Sequence, residues 1–190
     1  MPRNFLFDML APFYERVISP YNIEKLAELL GLPHDGRLLD AGGGTGRVAG
    51  ELSPLVGELV VADFSRPMLV QALGKDSLRP VQVRVEGLPF VDNSFDRALV
   101  VDALHHFPDP HRGMAELMQV LKPGGWMVIE EPNIQYFQVK SIAWMEKVAL
   151  MDSHFLTTPE ICELAESLGG RARVADAENF NTWIVVGKRF

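Results

Sequence analysis

A three-layer α/β sandwich around a mostly parallel, seven-stranded sheet, ending in an antiparallel hairpin, is the fold this sequence predicts. Three observations predict it. Short apolar runs alternate with helical stretches along the chain. The runs up to residue 130 are continuously apolar rather than alternating, as strands covered on both faces are. A glycine-rich turn joins the first run to the helix that follows it. Strand–helix alternation of this kind packs helices on both sides of one sheet.

The predicted strands are Arg37–Ala41, Leu59–Ala62, Val81–Val85, Arg97–Val101, Trp126–Glu130, Ala172–Ala175 and Trp183–Val186. Helix starts are marked between them. Ser65 is placed to cap a helix with Pro67 just inside it, and Asp109 precedes Pro110 in the same way. Thr158-Pro159 repeats the device before Glu160–Leu168, which Gly169-Gly170 closes. Asn181 falls in a short connection before the last strand, and the final pair reads as the hairpin. With 190 residues and no linker or repeat, one domain spanning 1–190 is expected, with 1–31 and 133–157 as lid or acceptor-side elements.

In open α/β sheets the ligand sits outside the carboxyl ends of the strands, at the point where strand order reverses. Leu38-Leu39-Asp40-Ala41-Gly42-Gly43-Gly44-Thr45-Gly46 occupies one such end. Glycines there let backbone approach a ligand closely, and the next helix points its N–H groups into the same crevice. Asp63 ends the second strand, 23 residues beyond Asp40, where a carboxylate can accept both hydroxyl protons of a ribose. Two nucleotide chemistries share this geometry. Gly44-Thr45-Gly46-Arg47-Val48-Ala49 satisfies the dinucleotide pattern G-x-G-x-x-G/A, which would suit an NAD-dependent oxidoreductase. Asp40, Gly42, Gly44 and Gly46 equally fill D-x-G-x-G-x-G. An acid at the head of the loop repels a pyrophosphate and suits a ligand carrying an ammonium group, which favours the phosphate-free alternative.

Composition narrows the partners. A formal net charge of −7 argues against a protein that tracks a nucleic-acid backbone. Cys162 is the only cysteine, so neither a disulfide framework nor a thiolate metal site is expected, which fits a cytoplasmic chain. No stretch approaches the roughly 18 apolar residues of a membrane span. Residues 5–18 are amphipathic and read as a packing helix rather than a signal peptide.

From the glycine loop outward, the chain resembles the class I S-adenosylmethionine-dependent methyltransferases, whose fold is Rossmann-like. LLDAGGGTG is similar to the first motif of that family, and VVADFSRPML (Val60–Leu69) to its second. LPFVDNSFD (Leu88–Asp96) resembles the signature leading into the fourth strand, and LKPGGWMVI (Leu121–Ile129) the turn into the fifth. Within the family the likeness is to the type 11 and ubiquinone/menaquinone-biosynthesis C-methyltransferase subgroup, through Gly43-Gly44-Thr45-Gly46 and the segment Phe7-Asp8…Ala11…Tyr14 that covers the cofactor in those proteins.

The resemblance implies S-adenosyl-L-methionine as cofactor and S-adenosyl-L-homocysteine as product. By it, Asp40 and the backbone of Gly42, Gly43 and Gly44 hold the methionine end. Thr45 contacts its carboxylate or amine region, Asp63 takes the ribose hydroxyls, and Phe64 and Met68 border the adenine. Relatives place an Asp or Asn followed by Ala after the third strand to read the adenine amine. Here those positions are Arg84 and Val85. Arginine has no acceptor, so Glu86 is the candidate for that contact and the Val85 N–H for the ring nitrogen.

The implied activity is methyl transfer to a small, apolar or aromatic acceptor, on oxygen, nitrogen or carbon. A cofactor-binding protein of the same fold without catalysis is the alternative, and an NAD-dependent oxidoreductase ranks last. His105 and His106, after the fourth strand, are the candidate general bases, by the ordinary range of imidazole, or else pack locally. Asp102 is expected to shape the methionine pocket and Asp96 to be structural. Glu130 and Glu131 either orient a polar acceptor or are solvated. No metal is expected, no role attaches to His34 or His111, and the chain is expected to act as a monomer or homodimer. Tyr136, Phe137, Ile142, Trp144, Met145, Val148 and Met151 fall at helical spacing and read either as a packed face or, with Phe5, Phe7, Phe13 and Tyr14, as an apolar lid over the acceptor.

Overall fold

The computed structural model describes residues 22–133, 154–176 and 181–189. The lid residues expected within 1–21 and 134–153 lie outside them. The described chain runs α1 (Ile23–Leu30), β1 (His34–Ala41), α2 (Arg47–Leu52), β2 (Val56–Asp63), α3 (Arg66–Ala72), β3 (Leu78–Gln82), β4 (Phe95–Val101), α4 (Pro110–Val120), β5 (Leu121–Pro132), α5 (Thr158–Ser167), β6 (Gly170–Asp176) and β7 (Asn181–Lys188). Short 3-10 turns at Val85–Gly87 and Leu104–His106 border the site described below.

The seven strands form one sheet in the order β3-β2-β1-β4-β5-β7-β6. The first five are parallel, while β7 pairs antiparallel with both β5 and β6. The chain winds outward from β1 to β3, then returns to place β4 on the other side of β1. The switch point therefore falls between β1 and β4. The fold class is the one the sequence predicts.

One register differs. The third strand is Leu78–Gln82, three residues earlier than Val81–Val85, with Pro80 opposite Val61. Proline has no N–H to give a ladder, and β3 tolerates it because it is an edge strand. Arg84 to Glu86 thereby fall beyond the sheet, in the turn that faces the cavity. Asn181 is the first residue of β7 rather than a connection, and β5 begins at Leu121, ahead of the Pro123-Gly124-Gly125 stretch.

Caps sit largely where the sequence marks them. The Ser65 hydroxyl accepts from Met68 N and the Asp109 carboxylate from Arg112 N. The last helix is capped by Thr157, not Thr158. Thr157 and Glu160 form a reciprocal box in which each side chain accepts the other's backbone N–H.

Each sheet face has its own core. One gathers Leu39, Val100, Ile129 and Ile184 under Met114 and Leu117 of α4 and Ile161 and Leu164 of α5. The other sets Leu38, Val61, Leu99 and Val128 against Leu26 and Leu30 of α1 and Val48 and Leu52 of α2. α1, within the segment expected as a lid, is a layer of the sandwich. Arg97 fixes it: its Nε donates to Leu30 O at 2.8 Å and its Nη1 to Asp96 O at 2.8 Å, with the guanidinium 3.2 Å from the Trp126 ring centroid. Trp126 Nε1 donates to Leu29 O at 2.9 Å. A buried cation thus meets the negative end of α1. Arg97→Met is expected to lower unfolding free energy by about 2–3 kcal/mol, the scale of hydrogen bonds to a charged group. Urea denaturation measures it, and an unchanged midpoint would contradict the anchoring role.

Candidate functional site

The turn after β1 is built for close approach. Gly42 adopts φ +76°, a left-handed conformation, and a Cβ there would stand 2.6 Å from the Ala103 Cβ. A Cβ on Gly43 would meet the Asp40 carboxylate at 2.4 Å. The turn is tied to β2 by Gly42 N donating to Ala62 O at 2.7 Å. Asp40, 2% exposed, lies directly beneath it, and its Oδ2 is buried with no hydrogen-bond partner. Burial, and then the neighbouring Asp63 charge, push its carboxyl up to about 7.

Asp63 is clamped from both sides. Gly44 N donates to its Oδ2 at 3.0 Å and Ser65 N to its Oδ1 at 2.7 Å. The same carboxylate therefore orders the glycine turn and the start of α3.

These groups open onto a cavity of about 340 Å³ at the β1/β4 switch. Its lining brings together Asp40, Gly42, Gly43, Gly44, Thr45, Asp63, Phe64, Met68, Val85, Glu86 and His106. The wall also includes residues that sequence reasoning had not placed there. Phe107 and Pro108 follow the Leu104–His106 turn, and Arg47 opens α2. Position alone was the signal for them, since each stands at the carboxyl end of a strand or just beyond it. Arg84 lines the cavity and holds its guanidinium 5.7 Å from the Phe64 ring centroid. Glu86 Oε1 accepts from Asp109 N at 3.3 Å.

The two histidines part company. His105 is not among the lining residues. It is buried, its Nδ1 lies 2.7 Å from Glu131 Oε2, and its ring stacks on Phe155 at 4.5 Å. His106 faces the cavity, but burial first, and then His105, lower its imidazole to about 3. The ordinary imidazole range does not hold there, so His106 stays neutral throughout the physiological range.

Glu131 is buried rather than solvated. Its Oε1 accepts from Ala103 N at 3.0 Å and Leu104 N at 2.7 Å, beside the His105 contact. One carboxylate thus fixes the turn that carries Asp102, at φ +51°, and His106. Glu130 is also buried, 3% exposed. Among the described residues no group of three or more His, Cys, Asp or Glu is arranged to hold a metal ion. Nor is any helix among them long and apolar enough to cross a membrane.

A buried acid pair under a glycine turn, at the switch point of a doubly wound sheet, defines a nucleotide-type site. Comparison with known proteins makes the class specific. Residues 39–129 match the family model described as a methyltransferase domain. The chain is 37% identical over 125 residues to the ubiquinone/menaquinone biosynthesis C-methyltransferase UbiE of Stutzerimonas stutzeri, covering 58% of this chain and 48% of that protein. It is 34% identical over 157 residues to the UbiE of Cronobacter sakazakii, covering 69% and 62%. The matches span about half the length of such curated relatives. Among solved structures, a Thermotoga maritima protein described as a SAM-dependent methyltransferase, possible histamine N-methyltransferase, superposes with a TM-score of 0.79. The identity is 23%, over 97% of this chain and 99% of that one. Over the matched residues the chain is similar to the S-adenosylmethionine-dependent methyltransferases, and among them to the UbiE proteins.

The Asp40 shift carries a consequence for stability. Between about pH 4 and 7 the folded protein keeps a proton on Asp40 that the unfolded chain has already released. Unfolding in that window therefore releases a proton, so Asp40 makes the fold less stable as pH rises. Asp40→Asn removes this term. Its melting temperature is expected to gain on wild type from about pH 4 to about pH 7 and to run parallel above that. A constant difference across the range would contradict the assignment.

Proposed function

We propose that this chain binds S-adenosyl-L-methionine in the β1/β4 crevice and catalyses methyl transfer to a small, apolar or aromatic acceptor, releasing S-adenosyl-L-homocysteine. The observation that carries the reading is the orphaned, buried Asp40 Oδ2 beneath a turn whose Gly43 leaves no room for a side chain. That oxygen needs a cationic donor, and the cofactor's methionine end supplies an ammonium group. A pyrophosphate would set negative charge against Asp40 and Asp63.

The residues present fit the group. Asp40 and the backbone of Gly42, Gly43 and Gly44 would hold the methionine end, with Thr45 beside them. Asp63, held in place by Gly44 N and Ser65 N, would take the ribose hydroxyls. Phe64 and Met68 would border the adenine, with Arg84 across the Phe64 ring. Val85 N–H and the Glu86 carboxylate would read the adenine edge in place of the acid that relatives carry. When bound, the cofactor supplies an electrophilic methyl group on a sulfonium. What remains for the protein is to exclude water and align the acceptor, and positioning of that kind can supply about 7–11 kcal/mol of barrier reduction. His106, neutral and on the wall, suits a hydrogen bond to the acceptor better than storage of a proton.

The UbiE relatives are named as C-methyltransferases of quinone biosynthesis, which supports an aromatic ring acceptor. In this reading the enzyme acts in the cytoplasm, as a monomer or homodimer, without metal or nucleic acid. Calorimetric titration with S-adenosylhomocysteine tests the contacts. Glu86→Ala is expected to weaken binding about tenfold, the loss of one hydrogen bond to a charged group, and Arg84→Ala less. Undiminished affinity in Glu86→Ala would overturn the adenine-edge assignment.

A further inference from the structure

Glu130 is a buried carboxyl group with no part in the cofactor contacts above. It lies near the end of β5, in register with Val101 of β4 on one side and Trp183 of β7 on the other. Side chains alternate along a strand, so Glu130 shares the face of Val128, the face that also holds Val101 and Trp183. Val101 is a cavity wall. One strand spacing, about 4.8 Å, therefore separates Glu130 from that wall, on the side away from Asp40. Asn181 Nδ2 donates to its Oε1 at 2.6 Å, while Oε2 is buried with no partner. Leaving a buried acceptor unsatisfied costs about 1–3 kcal/mol, more for a charged group. The fold carries that cost here, beside the cavity, and an incoming donor would relieve it.

The groups around Glu130 are mostly acidic. Asp102 from the end of β4 and Glu131 from β5 both oppose its ionisation, and Asn181 from β7 and Lys25 from α1 favour it. Lys25 is itself ion-paired with Asp176 of β6. Burial is the largest influence, and the carboxyl is pushed up to about 7. A group so balanced exchanges a proton near neutral pH, which suits a general base.

We propose that Glu130 is the acceptor-side residue of this enzyme: its Oε2 takes a hydrogen bond from an O–H or N–H of the methyl acceptor and receives that proton during transfer. The acceptor's bond to hydrogen breaks and a bond from the same atom to the methyl carbon forms. The carbon–sulfur electron pair stays on sulfur, and the proton ends on Oε2. Asn181 is the positioning residue: by holding Oε1 it leaves Oε2 as the carboxylate oxygen open to a donor. The inference rests on the methyl-transfer reading.

The test uses protein loaded with S-adenosylhomocysteine and two probes that differ only in the donor, 2-naphthol and 2-methoxynaphthalene, followed by ligand-observed NMR. Wild type is expected to bind 2-naphthol about tenfold more tightly than the ether, as one hydrogen bond to a charged group requires. That preference should grow from about pH 6 to about pH 8 as Glu130 ionises, while the naphthol, like other phenols, stays protonated. Glu130→Gln should flatten the pH dependence, and Glu130→Leu should abolish the preference. Lack of saturable naphthol binding, or unchanged discrimination and pH profile in Glu130→Gln, would overturn the proposal. Failure of wild type to bind S-adenosylhomocysteine would overturn the cofactor reading instead, so the two failures are distinguishable.

Discussion

Three carboxyl groups, Asp40, Asp63 and Glu130, are held out of water at the carboxyl edge of the sheet, on the face that α1 and α2 cover. Burying a carboxylate is costly unless donors or a counter-charge meet it. The surrounding structure follows from how each is treated. Asp63 is satisfied by two backbone N–H groups, and in accepting them it fixes both the glycine turn and the start of α3. Asp40 and Glu130 are each left with one bare oxygen, and both respond by holding their protons to about pH 7. The satisfied acid builds the site, and the two unsatisfied ones mark where polar parts of ligands belong.

Glu131 shows the opposite use of an acid one residue away. Alternation sends it to the other face of the sheet, where two backbone N–H groups and His105 take up both of its oxygens. It is a brace for the turn that presents His106. Phe155 stacks on His105, and His154 N donates to His105 O at 2.6 Å, so the chain that leads into α5 is joined to the same brace. The turn that carries His106 and the chain ahead of α5 are thus connected through His105, although that residue is not among those lining the cavity.

Much of this was legible in the sequence because it follows from local rules. Strand–helix alternation, the Ser65 and Asp109 caps and the D-x-G-x-G-x-G turn each depend on near neighbours in the chain. The β3 register was not legible, since Pro80 argues against a strand until the order of strands makes β3 an edge. The fates of the adjacent pairs His105-His106 and Glu130-Glu131 were not legible either. Each pair splits between a buried brace and a group at or beside the cavity. The split depends on which face of the sheet, or which side of a turn, a residue takes, and spacing alone does not decide that. The change in His106 is likewise tertiary, since burial beside another imidazole moves it out of the range its residue type suggests.

The central claim is that the crevice between β1 and β4 is an S-adenosylmethionine site whose acids select a cation-bearing, phosphate-free nucleoside. A crystal structure of the protein grown with S-adenosylhomocysteine, alongside one grown with NADH, tests it most directly. The account predicts S-adenosylhomocysteine with its ribose hydroxyls on Asp63 and its amino group over Asp40 Oδ2, and no dinucleotide in the crevice. A dinucleotide seated with its pyrophosphate on the Gly42–Gly44 turn, or S-adenosylhomocysteine bound elsewhere, would contradict it.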